Sequence, residues 1–383
     1  MPSFSISPAG VAPFLQLQSS KVFKGAYAAK KITTTGYYNM LLKAPRPNII
    51  SQGVDDGTGH IRNVSCYALQ RSAAGTTSTS DDCLIDEQPT RIEFTVPTTL
   101  FRKKSFYLDD RQLAAYMSDA SEIVKANGQM DDFPGFTMEL WDLMITRANA
   151  LIADINKDLL GIQAAAFGVN KQSGTNAIRT INFNRNATVK DYSSGLTLLE
   201  DDAMQNEFMI DEATIVYGGL MNRIMVDLNR NAISSGLNGI NDAKLAIPNH
   251  FFDPYCGSIW GDADAFAVFD ADSVQLLEIN RYKGAMAGDR GISWFGTIFL
   301  PLKDSLGNDQ ISGTEFDIQI KYIDCPTTVE IGGTPTAVNR GWQVTLSKCY
   351  HQINVPSNSY TAADPLYGNN GTLLYKATNT SVS

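Results

Sequence analysis

The sequence predicts an α+β protein, on three observations. Residues 137–167 (TMELWDLMITRANALIADINKDLLGIQAAAF) carry a single apolar stripe at helical period. Residues 91–96 (RIEFTV) and 316–322 alternate apolar and polar side chains at strand period. Between these, short apolar runs at 213–217 (ATIVY) and 265–269 (AFAVF) each lead toward a helix-like segment, the mark of an α/β lobe.

The long helix organises the rest. Leu140, Trp141, Met144, Ile145, Ala148, Leu151, Ile152, Ile155, Leu159 and Ile162 recur at alternating steps of three and four, while Asp142, Arg147, Asn149, Asn156, Lys157 and Asp158 fall on other faces. Thr137 is placed to cap its start, Glu139 suits the positive end of the dipole, and Gly168 follows the last periodic residue. At ~1.5 Å per residue the rod is roughly 45 Å long. On the stripe alone it is either an ordinary core helix or a scaffold helix lying across a sheet; the surrounding chain favours the scaffold.

Residues 1–50 are polar, rich in Ser, Thr and Ala, and end in Ala44-Pro-Arg-Pro47. They read as an extended arm, with Phe14, Phe23, Tyr27, Tyr37 and Tyr38 as apolar anchors onto its own body or a neighbour. Strand-like runs at 61–69 and 91–96 flank a small, polar, turn-like stretch at 72–82, giving a long hairpin with a flexible tip. Its apolar content is too low for self-support, so it must lean on a body, its own or another subunit's. Residues 109–127 predict a second helix, with Leu113, Tyr116, Met117, Ala120, Ile123 and Val124 as its stripe.

After Gly168 the pattern changes. A short strand at 179–183 precedes a helical stretch at 195–206, then the strand at 213–217 and a helix with Leu220, Met221, Ile224, Met225 and Leu228 apolar. The strand at 265–269 followed by a helix at 272–280 repeats the unit, and 294–302 is a further strand. The last part returns to β: 316–322, then 341–355 as one extended strand, and 372–375 after the turn signal Asn369-Asn370-Gly371.

Composition narrows the class. With 383 residues the chain has room for two or three lobes, and 43% hydrophobic against 19% charged residues makes it globular. Lys plus Arg is 31 against 40 for Asp plus Glu, a net −9, which excludes a chain that coats itself with nucleic acid or anionic membrane. No stretch approaches the ~20 apolar residues of a membrane span. The first residues lack a basic start and a long apolar run, so no secretory signal is expected. Cys66, Cys83, Cys256, Cys325 and Cys349 are scattered, without a CxxC, and read as reduced thiols.

Two places invite a site. Tyr217-Gly218-Gly219 at a strand-to-helix junction has the start of a phosphate cradle, but neither GxxxxGK[ST] nor GxGxxG follows, and a tight turn with close packing explains the glycines as well. Asp262, Asp264, Asp270 and Asp272 cluster around 265–269, where a divalent cation and helix capping are competing explanations. His60, His250 and His351 lie far apart, and no HExxH or GxSxG occurs. No catalytic, cofactor-binding or metal-ligating residue is assigned, and the expected chain is not an enzyme.

The order of arm, long hairpin, scaffold helix, α/β lobe and closing strands resembles the major capsid proteins of tailed bacteriophages, with the Hong Kong 97-like fold. The local matches are AFAVFDADSVQLLE before a Gly-containing loop and WFGTIFLPL, and the ending GWQVTLSKCYHQINVPSNSYTAADPLYGNNGTLLY. The resemblance implies an N-terminal arm at 1–50, an extended loop at 55–105, a peripheral domain at 106–189 and 311–383 with its spine helix at 137–167, and an axial domain at 190–310. It implies many copies, as hexamers and pentamers, closing into an icosahedral shell around double-stranded DNA, in a virion assembled in the host bacterial cytoplasm. Scaffolding, decoration and portal proteins would be its partners, without membrane, cofactor or sequence-specific DNA contact. The family's cross-linking lysine of the extended loop has no counterpart, since 51–100 contain no lysine. The rival expectations are another virion component, tail or portal-associated, and an enzyme with a cryptic site in the α/β lobe.

Overall fold

The computed structural model describes residues 32–33, 36–54, 61–69, 91–99, 101–109, 136–173, 178–183, 192–234, 245–282, 293–303, 313–323, 327–331, 334–338, 341–355 and 368–379. The predicted helix at 109–127 lies outside these apart from Asp109, which is strand, and the hairpin tip at 72–82 and the arm before residue 32 lie outside them too. In chain order the elements are β1 (Ile32–Thr33), α1 (Gly36–Lys43), β2 (Asn48–Val54), β3 (Ile61–Leu69), β4 (Arg91–Pro97), β5 (Phe101–Asp109), α2 (Phe136–Ala164), β6 (Arg179–Asn182), α3 (Ser193–Gln205), β7 (Thr214–Tyr217), α4 (Gly219–Ser234), β8 (Asn249–Phe252), α5 (Cys256–Ile259), β9 (Ala265–Phe269), β10 (Val274–Ile279), β11 (Ser293–Lys303), β12 (Gly313–Ile323), β13 (Thr327–Ile331), β14 (Thr334–Val338), β15 (Gly341–Asn354) and β16 (Thr372–Thr378). The predicted α+β class holds.

Two main sheets share one core. The first runs β1-β11-β12-β15-β10, with β5 also on β15; the second runs β6-β16-β9-β7-β8. β15 is long enough to take β12 and β5 along its first half and β10 along its second. Met144, Ile145, Ala148, Leu151, Ile152, Ile155, Leu159 and Leu160 of α2 share a buried cluster with Phe316, Ile318, Ile320, Trp342, Val344 and Leu346 of the first sheet. Val216, Ala265, Ala267 and Phe269 of the second sheet belong to the same cluster. The spine helix is therefore packed by both sheets.

Strand periodicity then sets the second lobe. Ile215, Tyr217, Phe266, Val268, Leu373 and Tyr375 point the other way and bury Leu196, Leu199, Met221, Ile224 and Met225 of α3 and α4. A sheet covered on both faces needs strands without polar alternation, which is why AFAVF is buried at every position.

Two expectations change. Within the predicted extended arm, Tyr37, Tyr38, Met40 and Leu41 sit in the core on α1, a helix too short to show its period in the sequence. Residues 272–280 form strand β10, not a helix: Val274 and Leu276 face the spine, Leu277 and Ile279 face away, and so continuous a buried run carries no period to separate helix from strand. Asn48–Val54 adds a third strand to the hairpin, and β5 pairs with β15. Segments distant in the chain also interleave. β10 and β11, from 190–310, lie in the first sheet, and the closing strand β16 lies inside the second, between β6 and β9.

The junction of these parts is polar and fully buried. Asp253 follows β8; its Oδ2 accepts hydrogen bonds from the Tyr37 backbone N–H (3.0 Å) and Asn156 Nδ2 (2.8 Å), and its Oδ1 accepts from the Tyr255 N–H (2.9 Å). Asn156 Oδ1 in turn accepts from the Tyr38 N–H (2.9 Å). The first N–H groups of α1, which no helical carbonyl can satisfy, are thus capped by side chains from two distant elements. Gly36 permits the approach: a Cβ there would stand 2.2 Å from the Phe252 carbonyl oxygen. Asn156, expected on a polar face, is buried because the second lobe covers that side of α2.

Ile152→Ala is expected to destabilise the chain by about 2–5 kcal/mol, since a cavity replaces packed methyl groups. Thr146→Ala, on an exposed position of the same helix, should stay within about 0.5 kcal/mol. Urea unfolding of both reads the difference, and equal midpoints would contradict the packed face. Asp253→Ala strands three donors, two of them buried, and should lower the unfolding free energy by about 3 kcal/mol or more. A change under about 1 kcal/mol would mean that the junction contributes little to stability.

Candidate functional site

The surface with the clearest non-core geometry is the three-stranded sheet β2-β3-β4. On β4, Ile92, Phe94 and Val96 turn inward while Arg91, Glu93, Thr95 and Pro97 are exposed, as the alternation predicts. Ile61, Val64, Cys66 and Val96 pack on Leu277, Ile279, Cys349 and Ile353, on the side of β10 and β15 away from the spine. The base of the hairpin therefore rests on its own body. Its other face is polar, with a Ser65 Oγ–Thr95 Oγ1 contact at 3.4 Å.

The short basic cluster at 102–104 is partly spent inside the fold. Arg102 forms a two-pronged pair with Asp158 of α2 (2.5 and 2.8 Å), and Lys104 Nζ lies 2.7 Å from Asp154 one turn away. Both side chains share the face of β5 that carries Phe106 and Leu108 into the core, so two ion pairs rim the contact between strand and spine. Tyr350 also donates to Asp158. Burial alone would raise the Asp158 carboxyl pKa, but the bonds from Arg102 and Tyr350 and the Arg102 charge outweigh it and hold the pKa below the usual carboxylate range. Lys30-Lys31 lie outside the described residues.

A second charged group was not legible in advance. Lys348 is buried on the inward phase of β15, with Nζ 3.0 Å from Glu278 Oε1 and 2.9 Å from the Glu315 carbonyl oxygen, and over the Phe316 ring at 5.0 Å. Tyr38 donates to Glu278 at 2.5 Å, and burial followed by the Glu278 charge pushes its phenol well above the ordinary value. The phase was the available signal: Trp342, Val344, Leu346, Lys348 and Tyr350 alternate on one face, so a lysine there needs a buried partner.

The tempting motifs resolve into structure. Gly219 has φ +49°, and a Cβ on it would meet the Ala263 carbonyl oxygen at 2.2 Å. Asp264 Oδ1 accepts from the Leu220 N–H at 2.8 Å, placing a carboxylate where an anion would approach α4. The four aspartates divide between the two ends of β9. Asp262 pairs with Lys376 and accepts from the Asp264 N–H; Asp270 accepts from the Met209 N–H at 2.8 Å; Asp272 occupies a turn at φ +61°. Among the described residues no group of three or more His, Cys, Asp or Glu is placed to hold a metal. His250 Nε2 lies 2.5 Å from the Ile247 carbonyl oxygen, and burial lowers the pKa of both His250 and His351. Burial pushes the Cys256 and Cys349 thiols up to about 12, which leaves them protonated and unreactive. A cavity of about 370 Å³ lies beside the end of α1, lined in part by Lys43, Asp211, Glu212, Phe251 and Asp272.

The Asp158 geometry gives a pH signature. Its folded pKa is depressed, so its contribution is present above the unfolded value of about 3.9 and fades as pH falls through the folded one. Asp158→Asn should be less stable than the parent at pH 7, with the gap closing below about pH 4. A gap of constant size across a pH series of unfolding curves would contradict the assigned ion pair.

Neither a protein-family model nor a curated protein matches this sequence. Solved structures do show similarity. The capsid asymmetric unit of Cyanophage A-1(L) is 12% identical at a TM-score of 0.44, covering 91% of this chain and 94% of that one. The virus-like particle from Pyrococcus furiosus is 9% identical at 0.39, covering 95% and 99%. The Mycobacterium phage Che8 structure is 10% identical at 0.36, covering 82% and 84%. Identities and TM-scores this low leave the functional reading to the chain's own geometry.

Proposed function

We propose that this chain is a shell-forming major capsid protein of the Hong Kong 97-like type, many copies of which close into an icosahedral container for the double-stranded DNA of a tailed phage. The observation that carries the reading is the three-stranded sheet. It packs on the body, polar on its outer face, and among the described strands β2 and β4 each pair with β3 alone, while a spine helix braces two interleaved sheets beneath it. A braced body carrying a polar-faced sheet on its surface is suited to tiling. Arg102, Lys104, Asp158 and Lys348 are engaged in internal pairs, in keeping with self-association as the activity. Arg102 and Lys104 answer Asp158 and Asp154 and are not left as a basic surface, in keeping with a container that does not grip DNA. Hexamers and pentamers as building blocks, a virion location and assembly in the host cytoplasm belong to the same reading, as do scaffolding, decoration and portal proteins as partners.

Negative-stain microscopy and sedimentation of the expressed protein test it. Closed shells, or capsomer-sized rings that convert to shells, are expected. A chain that stays monomeric at high concentration would overturn the proposal, and open helical tubes would favour a tail component.

A further inference from the structure

Apolar exposure on this chain is concentrated on α3 and the turn that follows it. Leu198 (41%), Met204 (55%) and Met209 (60%) stand out to solvent there, three of the eight large apolar side chains so exposed among the described residues. Leu198, Asp201 and Met204 succeed one another at steps of three, so they form one strip on the outer side of the helix. The inner side, with Leu196, Leu199 and Ala203, is buried against the second sheet. Asp201, Glu207, Asp211 and Glu212 are exposed on the same helix and turn, and residues 195–212 contain no lysine or arginine. An exposed apolar strip among charges of one sign has the make-up of a contact surface, and methionine adapts to the shape it meets.

A second surface has the complementary make-up. On β5, Arg102 and Lys104 turn toward the spine, where Asp158 and Asp154 engage them, so Phe101 and Lys103 take the opposite face. Phe101 is 37% exposed, with the Arg281 guanidinium 3.9 Å over its ring, and Lys103 is exposed. The layering keeps the two surfaces apart within one copy. The spine is packed by both sheets; α3 covers the face of the second sheet that turns away from it, and Phe101 and Lys103 lie on the face of the first sheet that turns away from it. Surfaces on opposite sides of one body meet only between copies. A contact between unlike patches is head to tail, the kind that generates a ring when its rotation closes.

We propose that the exposed strip of α3 docks on the outward face of β5 of the next copy, with Leu198 and Met204 against Phe101 and the acids of 201–212 facing Lys103. The docking rests on the self-assembly reading above and supplies one contact within a ring of copies. Methionine sulfur against an aromatic ring and carboxylate against ammonium are both favourable pairings, and the apolar side chains of both patches leave water together.

Charge reversal tests it. Lys103→Glu and Asp201→Lys should each weaken association by up to about fivefold per contact, read as the shift in the concentration midpoint by sedimentation. The two variants mixed, or both changes in one chain, set opposite charges against each other again and should return the midpoint toward that of the parent. Merely structural damage would add instead. Met204→Ser with Met209→Ser removes the apolar part of the strip and should weaken association by about tenfold. Urea midpoints of the dilute monomer should stay at the parent's in every case, because the changed side chains are exposed. Single variants that associate like the parent, a mixture no stronger than its components, or a loss of association matched by a loss of monomer stability overturn the docking and leave the assembly reading standing. A parent chain that never associates overturns both.

Discussion

Everything in this fold converges on the buried carboxylate of Asp253. A carboxylate away from water is tolerable only when its oxygens are filled, and here the donors come from three places: the start of α1, the side of the spine helix, and the turn into α5. Because the donors are backbone N–H groups and an amide at fixed positions, satisfying the carboxylate fixes where those elements lie. Asn156 repeats the logic from the spine side by capping the next N–H of α1. A purely apolar junction would tolerate sliding; this one has a single register.

That junction explains why the chain can interleave. The first sheet uses strands from before the spine and from residues 274–354, and the second takes its inner strand β16 from Thr372–Thr378. Neither sheet can complete itself from contiguous sequence, so each long-range strand needs a prepared slot. The spine, packed by both sheets, supplies the floor of both. Ion pairs at the rim, Arg102 with Asp158 and Lys104 with Asp154, then align β5 on the helix without placing a charge in the core.

The outer layer follows different rules. The three-stranded sheet contributes little to the main core and keeps a polar face toward solvent. Among the described strands β2 and β4 each pair on one side only, and Ile49 and Ile50 leave a margin of apolar side chains exposed. The buried thiols and the paired acids show the opposite economy elsewhere, with reactive groups withdrawn or engaged.

The stripe of α2, the alternation of β4 and β12, the length of β15 and the apolar runs of β7 and β9 were all legible in the sequence, because each is a periodicity that burial on one side, or on both, imprints directly on residue order. The four aspartates around β9 stood out in the sequence as a cluster, and in the fold they serve turns, one helix start and one lysine. Tertiary structure alone decided the rest. α1 is too short to display its period, β10 is buried on both faces and so shows none, and Asn156, Lys348 and Asp253 are polar residues whose burial depends on partners more than thirty residues away. The sequence by itself determined which segments are helix or strand wherever one environment per face is enough to pattern them. Only the folded chain decided which sheet each strand joins and which polar residues lie inside, because pairing and satisfaction of buried donors are properties of two distant segments at once.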